Sequence, residues 1–292
     1  MYQHRIVTSH GTLAVEERGD GKSPVLLIHG NSSCREVFRH QLQAPFAASY
    51  RMVAFDLPGH GQSSDAPDPQ RSYTLPGFAD AAIELLGALG ISEAIVFGWS
   101  LGGHIAIEML SRYQGMRALL LSGSPPIGKV NGVNDVGRGF NNSPHGSVAG
   151  KTAWSEKDAE SFIHALFGES AEPFLCEAAL RADGRFRKRL FESSREGEGA
   201  NQRQTVKAAT IPIAVINGAA DPFIKLDYFE TICFQNLWDG IAHRLAGLGH
   251  VPFWEGPDVF DPLLERFLSE VEGKLILPPI ATLRSAEGFV PG

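Results

Sequence analysis

The sequence predicts an α/β protein with a mostly parallel central sheet, helices on both faces and an inserted helical cap. Three observations predict this class: short apolar runs, helical patterns between them, and one long interruption of the alternation. Continuous apolar runs are typical of strands that are buried on both faces of a parallel sheet. Strands that alternate with helices along the chain indicate helices packed on such a sheet.

The elements follow in order along the chain. The first is a β-hairpin over residues 5–17, which turns at His10-Gly11. Buried strands are predicted at residues 25–28, 52–55, 94–97, 118–121 and 211–216, and a further short strand near 242–246. The spacing of apolar residues predicts helices over residues 36–46, 75–89, 101–113, 226–237 and 259–271.

The alternation divides the chain into four predicted segments. Residues 1–124 and 209–272 form the two parts of the core, and residues 125–208 form the cap, with helices at 156–167 and 172–181. A structureless loop of that length is unusual inside a domain, which favours an inserted helical cap. Residues 273–292 contain three prolines and no periodicity, so we expect a loosely docked extension.

Composition limits the class of function. The 292 residues are 43% hydrophobic and carry a net charge of −7 with dispersed basic residues, which argues against a nucleic-acid partner. No apolar run approaches the ~18 residues of a membrane span, so no membrane partner is expected. Cys34, Cys176 and Cys233 lie far apart, which favours reduced thiols and a cytoplasmic protein.

The segment Gly98-Trp99-Ser100-Leu101-Gly102 carries the sharpest chemical signal. It has the pattern G-x-S-x-G and lies between a predicted strand and a predicted helix. In this context the serine occupies a strained turn and the small neighbours allow the chain to fold closely around it. Ser100 is therefore the predicted nucleophile.

A serine hydroxyl needs a base, and the order of this fold places an acid and then a histidine after the serine. Asp221 follows the predicted strand at 211–216, and His250 follows the one near 242–246. We therefore predict His250 as general base and Asp221 as the acid that orients it. Asp227 and Asp239 are rivals for the acid, but neither lies directly at the end of a strand.

Three further residues have predicted roles near Ser100. The backbone N–H groups of Leu101 and Asn31 are the expected oxyanion donors, because one begins a helix and the other follows the strand at 25–28. His104 lies one turn after Ser100. Hydrogen bonding behind the catalytic residues is favoured for His104 over direct catalysis.

The predicted substrate pocket is apolar and covered by the cap. Its candidates are Gly30, Trp99, Phe140, Trp154 and Phe162. No metal-binding motif occurs, so neither a metal nor a cofactor is expected. These features predict a small-molecule substrate, and they leave the oligomeric state open.

The motifs together resemble the α/β-hydrolase superfamily. They are His29-Gly30, the segment 56–61, the segment 98–103, the segment 218–221 and Gly249-His250. A serine at position 100 argues against the epoxide hydrolase and haloalkane dehalogenase branches, in which the resemblance would require aspartate.

Longer segments are similar to the metal-independent N-acyl-homoserine lactonases of the AidH type. These are residues 29–33, 96–105, 199–203, 217–223 and 236–238. The resemblance implies opening of the lactone ring through an acyl-enzyme on Ser100. It also implies a tyrosine able to contact the lactone amide at the position where this chain departs from the family and has Phe162. A carboxylesterase of small acyl esters and a ligand receptor on a hydrolase scaffold are the alternatives.

Overall fold

Eight strands form one sheet through the centre of the computed structural model, which describes residues 2–142 and 148–273. The strands of this sheet are β1 (Tyr2–Thr8), β2 (Gly11–Arg18), β3 (Pro24–Ile28), β4 (Arg51–Phe55), β5 (Ala94–Trp99), β6 (Met116–Ser122), β9 (Ile213–Gly218) and β10 (His243–Leu245), while β7 (Lys129–Val130) and β8 (Val133–Asn134) form a separate hairpin. The order across the sheet is β1-β2-β4-β3-β5-β6-β9-β10.

The sheet is antiparallel only at one side. Strand β1 pairs with β2, and β2 with β4, in antiparallel register, whereas all pairs from β4 to β10 are parallel. The predicted hairpin and the predicted mostly parallel sheet are both confirmed. Parallel strands end at the same edge, so the loops after β3, β5 and β9 lie side by side.

Helices cover both faces of the sheet. The described α-helices are α1 (Arg39–Gln43), α2 (Pro69–Ser72), α3 (Leu75–Ala88), α4 (Leu101–Met109), α5 (Glu156–Phe167), α6 (Pro173–Arg181), α7 (Gly184–Arg195), α8 (Gln202–Ala208), α9 (Pro252–Glu255) and α10 (Pro257–Val271). The sheet has a hydrophobic core on each face, and alternate side chains of β3 point into one or the other. Leu26 and Ile28 pack with α3 and α4, whereas Val25 and Leu27 pack with α1 and α10.

In its described part, the segment between β6 and β9 contains the hairpin β7-β8 and the helices α5, α6, α7 and α8. Helix α5 coincides with the predicted helix at 156–167, and α6 with the one at 172–181. The sequence patterns did not predict α7, α8 or the hairpin. The domain boundaries at 124/125 and 208/209 stay predictions.

Three predicted helices differ from the structure. Residues 226–237 form only a short 3-10 helix, Leu226–Thr231, because the chain then extends and Leu237 pairs with Ile213 beside β9. Residues 36–46 form α1 between two 3-10 helices, because Pro45 cannot continue the helix and begins the second of these. Helix α4 ends at Met109 rather than near residue 113.

Two predictions concern termini and compartment. The predicted extension at 273–292 lies, apart from Gly273, outside the described residues. Among the described helices, none combines the length and apolarity needed to cross a membrane. Cys34 is buried, Cys233 is exposed and Cys176 is intermediate, and all three are free thiols.

Candidate active site

Ser100 lies in a strained turn between β5 and α4. Its φ of 53° falls in the left-handed region, which is costly for a residue with a side chain. Two close approaches require glycine here: a Cβ on Gly98 would lie 2.4 Å from the Gly102 carbonyl oxygen, and one on Gly102 would lie 2.0 Å from the Ile28 carbonyl oxygen. The G-x-S-x-G pattern is therefore a steric requirement of this turn.

Asp221 and His250 form a buried pair beside Ser100. Asp221 Oδ2 lies 2.7 Å from His250 Nδ1, and the two side chains are 1% and 2% exposed. The other carboxylate oxygen, Oδ1, accepts the backbone N–H groups of Phe223 and Ile224 at 2.8 and 3.3 Å. The carboxylate is thus fixed on both oxygens, and it fixes the orientation of the imidazole. The rivals are elsewhere, since Asp227 pairs with Arg244, and Asp239 with Arg266 and His243.

The backbone around His250 is held from two sides. Glu255 at the end of α9 accepts the N–H of Gly249 at 2.7 Å through Oε2 and that of Val251 at 3.0 Å through Oε1. The indole of Trp99 donates to the carbonyl oxygen of His250 at 2.9 Å. One carboxylate therefore joins the residues before and after the histidine.

Two backbone donors border the same cavity as Ser100. Within the described part of the chain, neither the Asn31 N–H nor the Leu101 N–H donates to a protein acceptor. Asn31 lies in the loop after β3, and Leu101 is the first residue of α4. Unpaired N–H groups at a helix start and a strand end are suited to stabilise a developing negative charge.

The loop that carries Asn31 is joined to the inserted segment. Ser32, whose φ is 53°, donates its hydroxyl to Asn31 Oδ1 at 2.7 Å and accepts a hydrogen bond of 2.8 Å from Arg187 Nη1 in α7. Arg187 is 2% exposed, and burial lowers the pKa of its guanidinium to about 10, so it remains a cation at neutral pH. Its other donors reach the carbonyl oxygens of Lys151 and Thr152.

A cavity of about 730 Å³ lies over Ser100 and His250. Most of its wall is apolar, and the inserted segment contributes Phe140, Phe162 and Leu190. A chamber of about 490 Å³ adjoins it and shares part of this wall, including Leu101, His104 and Phe140. The structure thus brings together Ser100, Asn31, Leu101, Phe140 and Phe162 around one cavity.

Three predicted pocket residues lie behind the cavity wall instead. Trp99 is fully buried and packs on Phe253, because side chains alternate along β5 and Trp99 shares the face of Phe97. A Cβ on Gly30 would lie 2.9 Å from the Trp99 ring, so Gly30 permits packing beneath the cavity. Trp154 stacks on the Arg187 guanidinium at 4.4 Å and supports Phe162 from behind, with ring centroids 4.9 Å apart.

His104 lines the cavity itself. Its Nδ1 lies 2.9 Å from Gln202 Oε1, and among the described residues it makes no side-chain hydrogen bond to Ser100, Asp221 or His250. Burial, with a smaller contribution from the nearby His250, lowers the pKa of His104 to about 4, so the ring is neutral at pH 7. Contrary to the prediction, the His104 side chain does not hydrogen-bond the catalytic residues from behind but forms part of the cavity wall.

Sequence reasoning missed Glu255, Ser32 and Arg187. In the sequence Arg187 lies in a short basic stretch over residues 185–189 that indicates no partner, and its contact with Ser32 spans 155 residues. Glu255 lies five residues after His250, at the end of a one-turn helix. A carboxylate so near the histidine in sequence was the one feature that could have indicated its role.

The comparisons with known proteins agree with this architecture. The sequence model of the alpha/beta hydrolase family matches residues 25–262, so the chain belongs to that family. Among solved structures, the chain is similar to N-acyl homoserine lactonase AidH complexed with N-butanoyl homoserine. The identity is 46% and the TM-score is 0.89, over 93% of this chain and 97% of that chain.

Curated relatives are more distant. A 2-hydroxy-6-oxononadienedioate/2-hydroxy-6-oxononatrienedioate hydrolase of Pseudomonas sp is 25% identical over 284 residues, which cover 89% of this chain and 93% of that protein. The AB hydrolase superfamily protein YisY of Bacillus subtilis (strain 168) is 33% identical over 127 residues. That match covers 42% of this chain and 46% of YisY.

Proposed function

We propose that the protein opens the lactone ring of N-acyl homoserine lactones through an acyl-enzyme on Ser100. The observation that carries this proposal is the similarity to AidH over 93% of the chain. The geometry of the site supports it, because a strained serine and a buried acid-histidine pair border one cavity. The largely apolar wall suits a neutral lactone with an acyl chain.

The first step forms the acyl-enzyme. His250 Nε2 takes the proton of the Ser100 hydroxyl as its oxygen attacks the lactone carbonyl carbon, and Asp221 stabilises the imidazolium. The Asn31 and Leu101 N–H groups donate to the oxyanion. When the ring C–O bond breaks, His250 returns the proton to the leaving alkoxide, which becomes the hydroxyl of the homoserine chain. No hydrogen bond joins Ser100 Oγ to His250 among the described residues, and such contacts commonly tighten when substrate binds.

The second step hydrolyses the acyl-enzyme. His250 takes a proton from water, the hydroxide attacks the acyl carbon, and Ser100 leaves with the proton that His250 returns. The new hydroxyl group remains tethered to the acyl group, so ring closure competes with hydrolysis at high effective molarity. The position of the attacking water therefore determines how much open product is released.

The proposed compartment and partners follow from the same residues. Three separate thiols support a reducing cytoplasm. The only partner we propose is the small-molecule substrate.

The test compares two substrate classes with one purified protein. A series of N-acyl homoserine lactones and a series of p-nitrophenyl esters are supplied in the presence of a chelator, and kcat/KM is measured for each. We expect lactone opening with kcat/KM above that for the esters. Ester hydrolysis without lactone opening would contradict the proposal and favour a carboxylesterase.

A further inference from the structure

The His104 ring lies where the catalytic cavity meets the adjoining chamber, and it lines both. Its backbone N–H donates to the Ser100 carbonyl oxygen at 3.3 Å, so it lies one helical turn beyond the nucleophile. A turn advances about 5.4 Å along the axis. A molecule attacked by Ser100 that extends into the adjoining chamber therefore passes the ring.

The hydrogen bonds of Gln202 determine which ring nitrogen of His104 carries the proton. Gln202 Oε1 accepts the Ile127 N–H at 3.0 Å, and Gln202 Nε2 faces the His104 carbonyl oxygen at 3.5 Å. The oxygen at 2.9 Å from His104 Nδ1 can only accept, so Nδ1 carries the hydrogen. In the neutral ring, Nε2 is then an acceptor.

This acceptor is unused in the protein. Within the described residues, His104 Nε2 has no hydrogen-bond partner, and the side chain that carries it lines the cavity. The low pKa of the ring keeps the acceptor unprotonated at neutral pH. An acceptor that is held in one tautomer and left open is suited to a donor on a bound molecule.

The other polar groups of the cavity are committed or exposed. Ser100 and His250 carry out the proposed chemistry. The Asn31 side chain accepts from Ser32 and donates to the Ala149 carbonyl oxygen at 3.3 Å. Asn141 and Asn142 are exposed to solvent. Among the described polar side chains of the cavity, partly buried His104 thus remains for recognition.

We propose that His104 is a specificity-determining residue whose Nε2 accepts the amide N–H of the substrate. The inference rests on the proposed function, because an N-acyl homoserine lactone carries one N–H, on the carbon next to the reacting carbonyl. That short separation puts the amide within about one helical turn of Ser100. The acyl chain then continues past His104 into the adjoining chamber. A lactone without the N–H leaves this acceptor without a partner once the substrate fills the cavity, and sites of this kind discriminate against such analogues.

The test uses two lactones of the same shape. One is N-hexanoyl homoserine lactone, and the other is its ester analogue, in which an oxygen atom replaces the amide N–H. Opening of the lactone ring is measured for wild type, His104→Leu and His104→Gln. The ratio of the two kcat/KM values is compared with the ratio of the two base-catalysed rates without protein, which corrects for intrinsic reactivity.

We expect wild type to favour the amide by about tenfold over the uncatalysed ratio, the factor that one net hydrogen bond gives. His104→Leu loses this preference mainly through the amide substrate, whereas His104→Gln keeps part of it because its side-chain oxygen can accept. His164→Leu, at an exposed position in α5, is the matched control and keeps the wild-type ratio.

Two results would overturn the inference: a wild-type ratio equal to the uncatalysed one, or equal losses for both lactones in His104→Leu. Failure of the proposed function looks different, since wild type then opens neither lactone. In that case binding tests the role of His104 separately. The dissociation constants of both lactones are measured for the single variant Ser100→Ala and for the double variant Ser100→Ala, His104→Leu.

Discussion

Arg187 Nη1 lies 2.8 Å from Ser32 Oγ and thereby joins α7 to the loop that carries Asn31. The same hydroxyl donates to Asn31 Oδ1, so a chain of two hydrogen bonds runs from the inserted segment to a proposed oxyanion donor. The inserted segment thus has a second role beside covering the cavity, since it orients part of the loop that faces the reacting carbonyl.

Removal of this hydroxyl should impair turnover more than binding. Ser32→Gly deletes it and tolerates the positive φ, so the fold should persist. We expect kcat to fall by roughly tenfold, the effect of one net hydrogen bond, with KM changed by less than about threefold. Ser33→Ala is the control, because Ser33 Oγ is buried without a partner among the described residues. Equal kcat values for the two variants would refute the positioning role.

Glu255 should act on His250 in a similar way. Glu255→Gln retains one acceptor oxygen but places an NH₂ group against a backbone N–H, so the histidine loop loses one of its two fixed bonds. We expect kcat to fall by about five- to twentyfold, because small displacements of a general base are costly. Glu265→Gln, at an exposed position in α10, should leave kcat unchanged. A Glu255→Gln variant with the full wild-type kcat would show that these two hydrogen bonds do not position His250.

Acid should destabilise the fold partly through His104. Its pKa is about 4 in the folded protein against 6.5 ordinarily, so between these values the unfolded chain binds a proton that the folded chain does not. Stability from this group is therefore complete above pH 6.5 and is lost as pH falls toward 4, by about 2 kcal/mol from pH 7 to pH 5. In denaturant unfolding at both pH values, His104→Leu should lose less stability than wild type. An unchanged pH dependence would contradict the buried neutral ring.

Replacing a glycine by alanine should have opposite effects on the free energy of unfolding in the tight turn at Ser100 and in an open position of α3. Gly102→Ala would place a Cβ 2.0 Å from the Ile28 carbonyl oxygen, and we expect a loss of about 3 kcal/mol or more in the free energy of unfolding. Gly87→Ala in α3 meets no atom within 4 Å and should gain about 0.5–1 kcal/mol. Thermal unfolding of both variants measures the contrast. Similar Tm changes would argue against the steric account.

Sequence predicts the parts of this site that depend on local order along the chain. Ser100, Asp221 and His250 each follow a strand of the sheet, and parallel strands bring such turns to one edge. The alternation of side chains along β5 also predicts where Trp99 lies, because it puts Trp99 on the same face as Phe97 and away from the cavity. A position next to the nucleophile in sequence therefore does not by itself place a side chain in the cavity.

Contacts between distant segments could not be predicted in this way. The environment of Arg187 depends on Ser32 and Trp154, which come together only when α7 packs on the core. The unpaired acceptor of His104 depends on Gln202, which is 98 residues away. Local periodicity carries no information on such pairs.

The central claim is that Ser100 opens the lactone ring. It is tested most directly by kcat/KM for N-hexanoyl homoserine lactone, with a chelator present, for wild type and for a Ser100→Ala variant shown to be folded. We predict a loss of roughly 10⁴-fold or more, because the remaining groups cannot form the acyl-enzyme. Ring opening by Ser100→Ala at the wild-type rate would contradict the account.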